Sequence, residues 1–71
     1  MAYFYTKHFL ERMSQRNIPR NILTSLLKSA MKRYDESNEV VIEGKYEKET
    51  YRIIARQQKN HFILVTIYRI S

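Results

Sequence analysis

Hydrophobic and polar positions alternate most regularly in the last third of the chain, residues 51–70. Two runs rich in β-branched and aromatic residues flank the polar residues 58–60, a pattern typical of a β-hairpin. A three-residue loop with Asn60 in the left-handed conformation would place Gln57 opposite His61. Because side chains alternate with period two along a strand, this register predicts one apolar face and one mixed face.

The two predicted faces of the hairpin differ in chemistry. The core face is expected to hold the apolar set Tyr51, Ile53, Ala55, Ile63, Val65 and Ile67. The other, open face is expected to hold Arg52, Ile54, Arg56, Phe62, Leu64, Thr66 and, at its far end, Tyr68. In this register Arg52 lies beside Thr66. The open face therefore combines cations, a hydroxyl and a phenol with apolar side chains.

Two helices are predicted upstream of the hairpin. Residues 7–16 carry apolar side chains at spacings of three and four, with Thr6 as N-cap and Asn17 as the stop. Pro19 suits the first turn of a second helix, which is expected to reach about Met31. Its broad apolar face consists of Ile22, Leu23, Leu26, Leu27 and Ala30. Most of the inner surface of this second helix must therefore be core.

Further strands complete the expected sheet. Residues 39–43 predict a strand, residues 32–36 the start of another, and Asn38 a turn between them. Residues 2–5 could add a short edge strand. The expected fold is α+β, with two N-terminal helices packed on a three- to four-stranded antiparallel sheet. Residues 1–71 are interpreted as a single domain.

The net charge of the chain indicates which kinds of partner it could bind. Thirteen basic and seven acidic residues among 71 leave a net charge of +6, and the pI is near 9.8. This balance favours a polyanion such as nucleic acid, or an acidic protein, although it also suits a surface charged for solubility. The chain has no cysteine and no metal-ligand spacing, so no metal or cofactor is expected. The absence of a membrane-spanning run or signal-peptide pattern predicts a cytoplasmic protein.

A stripe on the first predicted helix carries the candidate chemistry. His8, Arg12 and Arg16 recur at intervals of four and share one helix face. RNA cleavage by its own 2′-hydroxyl needs a base, an acid and cations for the phosphorane, but no metal. His8 could be the base or the acid. Arg12 and Arg52 could stabilise the charge of the phosphorane. Alternatively, His8 is simply an exposed residue of the first helical turn, or it is hydrogen-bonded to the sheet.

The open face supports two further interpretations. Its cations among apolar side chains suit a nucleic-acid backbone with stacked bases, and Arg16, Arg56 and Lys59 are assigned to RNA binding. Tyr68 is a candidate hydroxyl donor, or it packs at a strand end. The same mixture suits a protein partner with a basic rim and an apolar centre. Glu43 is interpreted as part of a solvated turn.

Two short motifs resemble those of the DUF4258 domains. His8, Arg12 and Arg16 follow the opening pattern HxxxRxxxRxI, and VTIYRI at residues 65–70 is similar to the closing strand pattern VVTxYR. The family looks related to the RelE/ParE-like and BrnT-like toxins. The resemblance implies catalytic roles for His8, Arg12, Thr66 and Tyr68. It implies a role for Arg52 less directly, and either RNA binding or a structural role for Arg16.

The resemblance also implies an activity. Many relatives are metal-independent RNases that arrest growth and are covered by a cognate antitoxin or immunity protein. The expected function is a toxin-like endoribonuclease that cleaves mRNA or tRNA through 2′-hydroxyl attack. The alternative is a non-catalytic basic module that binds nucleic acid or a partner protein, which includes ParE-like inhibition of gyrase.

Overall fold

The computed structural model describes residues 2–29, 31–34 and 39–70. The elements in chain order are β1 (Ala2–Tyr5), α1 (Lys7–Gln15), α2 (Ile22–Ser29), β2 (Met31–Tyr34), β3 (Glu39–Tyr46), β4 (Glu49–Gln57) and β5 (His61–Arg69). The predicted α+β class with two helices is confirmed. Both helices lie between the first and second strands along the chain.

The sheet differs from the prediction in strand number and in direction. In the described part of the chain it has five strands, in the order β1-β5-β4-β3-β2. The strands β2 to β5 pair antiparallel, whereas β1 pairs with β5 in parallel. The four strands β2 to β5 form the predicted antiparallel part, and the short edge strand expected at residues 2–5 is present as β1. The expectation of a purely antiparallel sheet is wrong, because β1 is parallel to β5. The alternation of apolar and polar residues predicts where a strand lies. It does not predict which strand pairs with it, because that depends on the path of the helices that connect the strands.

The helix ends follow the local signals only in part. The Oγ1 atom of Thr6 accepts a hydrogen bond from the amide of Phe9 at 3.0 Å, and Asn17 takes a φ of 54° just past α1. Both predictions are confirmed, because a side-chain oxygen satisfies a free amide and asparagine tolerates positive φ. The second helix starts later than predicted, since Pro19 lies in a turn that precedes Ile22. It also ends earlier, because Met31 already belongs to β2.

A few predicted features lie outside the described residues. They are Ala30 on the second helix face and the turn at Asn38, together with residues 35 and 36 of the second predicted strand.

One hydrophobic core lies between the two helices and one face of the sheet. Its helical members are Phe9 and Met13 of α1 and Ile22, Leu23 and Leu26 of α2. The strands and connections contribute Ile18, Val40, Ile42, Tyr51, Ile53, Ala55, Phe62, Leu64 and Ile67. The apolar helix faces seen in the sequence are thus the buried faces.

The hairpin register is shifted by one residue from the prediction. The loop between β4 and β5 does contain residues 58–60, but Gln57 pairs with Phe62 rather than with His61. The amide of Gln58 donates to the carbonyl of His61 at 2.8 Å, which tightens the turn. Among the described non-glycine residues, positive φ occurs at Asn17 and Glu47 and not at Asn60. The predicted left-handed Asn60 is therefore wrong.

A β-bulge then shifts the register again. Ala55 pairs with Leu64 and Ile54 pairs with Thr66, so Val65 is an extra residue on β5. A bulge of this kind sets two residues of one strand against a single residue of its partner and reverses the alternation of side chains. The inward and outward positions of β5 are therefore exchanged at Val65.

The bulge decides which β5 residues enter the core. Phe62, Leu64 and Ile67 are at most 2% exposed, whereas Ile63 and Val65 are half-buried. The predicted register puts Phe62 and Leu64 on the open face and Ile63 and Val65 in the core, and all four assignments are wrong. Because residues 62–65 are all apolar, their pattern does not show which alternate side chains point into the core.

Candidate functional site

The open face of the sheet brings Arg52 and Tyr68 together. The two residues pair across β4 and β5, and Arg52 Nη1 donates to the Tyr68 hydroxyl at 3.4 Å. The guanidinium carbon also lies 5.9 Å from the centre of the Tyr68 ring. Thr66 lies opposite Ile54, so the predicted pairing of Arg52 with Thr66 is wrong. Thr66 is instead the next residue on the same face as Tyr68.

Glu43 joins this group from β3. It pairs with Arg52 across the strands, and its Oε2 atom lies 3.4 Å from Arg52 Nη2. The two side chains are 25% and 33% exposed, so water screens their attraction only partly. Arg52 is thereby held between a carboxylate and a phenol. The predicted solvated turn at Glu43 is wrong, because Glu43 lies within β3 and the β3–β4 register sets it beside Arg52.

The predicted stripe on α1 is present. Arg12 Nε donates to His8 Nε2 at 3.1 Å, across one helical turn. His8 is exposed and Arg12 is half-buried. Because Nε2 accepts this bond, the neutral imidazole carries its proton on Nδ1. The pair is a cation held against a proton acceptor at the surface of the helix.

Arg16 connects this stripe to the sheet. Its Nη1 atom donates to Thr66 Oγ1 at 3.1 Å and to the carbonyl of Ile67 at 3.0 Å. The strand β1 reaches only to the level of Leu64 on β5, so these acceptors lie beyond the end of β1. Arg16 therefore attaches the C-terminal end of α1 to β5. This contact supports the structural role that the sequence left open.

The five residues predicted to be catalytic, together with Arg16, form three contacting pairs. These pairs are His8 with Arg12, Arg16 with Thr66, and Arg52 with Tyr68. In the part of the chain that the structure describes, no hydrogen bond joins the His8 pair to the Arg52 pair. The Arg16 contact is the physical link between helix and strand.

Two residues assigned to RNA binding lie toward the other end of the hairpin. Arg56 is exposed near the end of β4, opposite Ile63, and Lys59 is exposed in the loop. At about 3.3 Å per residue, Arg56 lies roughly 13 Å along β4 from Arg52. These cations extend the basic surface and do not touch the Arg52 group.

A polar cluster that the sequence pattern does not predict joins the start of β4 to the end of β5. Arg69 Nε lies 2.6 Å from Glu49 Oε2, to which the Tyr51 hydroxyl also donates at 2.9 Å. The Arg69 guanidinium lies 5.5 Å from the centre of the Tyr51 ring. Hydrogen bonding with Tyr51 and the charge of Glu49 raise the pKa of Arg69 above its usual value. The cluster stabilises the strand ends.

Neither a metal-binding cluster nor a membrane-spanning helix occurs among the described residues. Among them, no group of three or more histidine, cysteine or acidic side chains is placed to hold a metal ion. Neither described helix has the length and apolar character that crossing a bilayer requires.

The fold and site define a small α+β domain in which a cationic helix stripe meets the hydroxyl-bearing end of a hairpin. The family model described as a domain of unknown function, DUF4258, matches residues 5–69. The chain belongs to this family. No curated protein and no solved structure matches the chain.

Proposed function

We propose that this protein is a metal-independent endoribonuclease that cleaves mRNA or tRNA through attack of the 2′-hydroxyl. The observation that carries the proposal is the bond from Arg16 to Thr66, which ties the His8–Arg12 stripe to the strand that bears Tyr68. The contact joins the C-terminal end of the stripe, which carries the base and its cations, to the strand that carries the hydroxyl acid. The net charge of +6 favours RNA as a partner.

His8 acts as the general base in this scheme. In the free protein its Nε2 atom accepts a bond from Arg12. A phosphate oxygen carries charge and is a stronger acceptor than a neutral imidazole. A bound phosphodiester therefore replaces His8 as the hydrogen-bond acceptor of Arg12. The released Nε2 then accepts the 2′-hydroxyl proton while the 2′-oxygen attacks phosphorus. Arg12 stabilises the negative charge that develops on the phosphorane.

Tyr68 acts as the general acid. Its oxygen accepts a bond from Arg52, so its own proton can be donated to the 5′-oxygen as the P–O5′ bond breaks. The Arg52 cation stabilises the resulting phenolate. The products are a 2′,3′-cyclic phosphate and a 5′-hydroxyl end. Solvent returns the proton to Tyr68 and removes one from His8, which restores the starting state.

The wider assignment to RelE/ParE-like toxins is part of this proposal. It rests on the HxxxRxxxRxI and VTIYRI motifs and on two helices packed on a sheet with an antiparallel hairpin. In this interpretation the protein acts in the cytoplasm, and a cognate antitoxin or immunity protein covers the open face. The added parallel β1 is the main departure from the expected sheet.

Cleavage of total RNA in the presence of EDTA tests the activity. We expect 2′,3′-cyclic phosphate ends, and a loss of about 100-fold or more in rate for His8→Ala and for Tyr68→Phe. Ser14→Ala is the matched control, because Ser14 is an exposed α1 residue that lies away from the stripe on the helix surface. Intact RNA with the folded wild-type protein contradicts the proposal, as does full activity of His8→Ala.

A binding module without turnover is the second candidate, and an apolar patch favours it. Val41, Ile54 and Ile63 are half-buried on the open face, among the cations. Such a mixture is suited to a protein partner or to stacked bases. This candidate expects salt-dependent binding that weakens in Arg52→Gln, with no cleavage. Its ParE-like form expects arrested DNA replication while cellular RNA stays whole.

A further inference from the structure

The edge strand β1 lacks the features that usually protect a sheet edge. It pairs with β5 on one side, and no described strand lies on its other side. Its sequence AYFY contains no charge and no proline, and its register with β5 is continuous. Phe4 and Tyr5 are 55% and 46% exposed. Exposed edges of this kind readily accept another strand, and natural proteins normally block them with charges, prolines or bulges.

A groove opens on the helix side of this edge. It has a volume of about 300 Å³ and is lined by Tyr3, Tyr5, Arg20, Leu23, Thr24 and Leu27. The walls combine aromatic and aliphatic side chains with the hydroxyls of the tyrosines and of Thr24, and the guanidinium of Arg20 is the charged group among them. A cavity of this size, with mixed apolar and polar walls, is at the small end of binding sites. The groove has room for one or two apolar side chains.

The edge and the groove form one continuous surface. Tyr3 and Tyr5 belong to β1 and also line the groove. A strand that added to the outer side of β1 would send every second side chain toward the helix side, beside these tyrosines. We propose that β1 binds an extended, acidic segment of a partner protein by strand addition, with alternate apolar side chains of that segment in the groove.

The charges around the edge indicate the charge of the segment that binds there. Arg20 lines the groove, and the exposed Lys7 follows β1 after a single residue. The whole chain carries +6, so an acidic segment is attracted to this surface and a second copy of the chain is repelled from it. The site is on the helix side of the sheet, whereas Arg52 and Tyr68 lie on the open face. This inference therefore does not depend on the proposed RNase activity.

A designed peptide that alternates glutamate with valine and leucine is the probe, and fluorescence anisotropy measures its binding to the purified protein. We expect binding that Thr24→Trp weakens by about tenfold or more, because the indole fills the groove. Arg20→Gln is expected to weaken it as well. Gln15→Trp introduces the same side chain on α1 outside the groove and is expected to keep the affinity within about twofold. Slowed amide exchange in β1 on binding would place the peptide at the edge.

Further arms of the experiment separate this inference from its competitors. A peptide with lysine for glutamate is expected to bind at least about tenfold more weakly. His8→Ala, which removes the proposed base on α1, is expected to leave peptide binding unchanged. Three results overturn the inference: equal binding of the lysine peptide, unchanged affinity in Thr24→Trp, or self-association of the protein that buries Phe4.

Discussion

Replacing Arg16 tests how the helix stripe is held against the hairpin. Its guanidinium makes two charge-assisted bonds through one nitrogen, to Thr66 Oγ1 at 3.1 Å and to the Ile67 carbonyl at 3.0 Å. The bond to the carbonyl is partly buried and the bond to the hydroxyl is exposed. Bonds to charged groups contribute about 1.5–3 kcal/mol when buried and less when water competes. We therefore expect Arg16→Ala to lower the free energy of unfolding by about 1–2 kcal/mol.

Urea denaturation measures this loss, and a double-mutant cycle apportions it. Thr66→Val removes the hydroxyl acceptor but leaves the Ile67 carbonyl in place. The coupling free energy between Arg16→Ala and Thr66→Val should be about 0.5–1 kcal/mol. Arg12→Ala on the same stripe is the control, since Arg12 bonds to His8 within the helix and should show no coupling to Thr66. If Arg16→Ala changes stability by less than about 0.3 kcal/mol, Arg16 does not attach α1 to the sheet.

Three further predictions concern the core, a helix cap and the open face. Leu64→Ala should cost about 2–5 kcal/mol in urea denaturation and Ile63→Ala much less, since only Leu64 is fully buried; the reverse order would contradict the observed register. Thr6→Ala should cost about 1 kcal/mol through loss of the N-cap of α1, and an unchanged denaturation midpoint would contradict the cap. Arg52→Gln should reduce the slope of log binding constant against log salt for RNA by about one, and an unchanged slope would show that Arg52 contacts no phosphate.

The sequence by itself determined the features that depend on neighbours along the chain. Thr6 and Asn17 marked the ends of α1 because capping involves only a few adjacent residues. The interval of four predicted the contact between His8 and Arg12, because residues four apart lie on one helix face. The apolar sides of both helices and the buried face of β4 were also predicted correctly.

Tertiary structure decided how these local elements meet. The apolar run at residues 62–65 fits either phase of a strand, and only packing against the helices selects the bulge at Val65 that buries Phe62 and Leu64. In the resulting register Arg52 pairs with Tyr68, and the hydroxyl of Thr66 accepts a hydrogen bond from Arg16. The parallel docking of β1 is likewise a contact between distant segments. Contacts across such separations depend on the packing of the whole core, which no local pattern encodes.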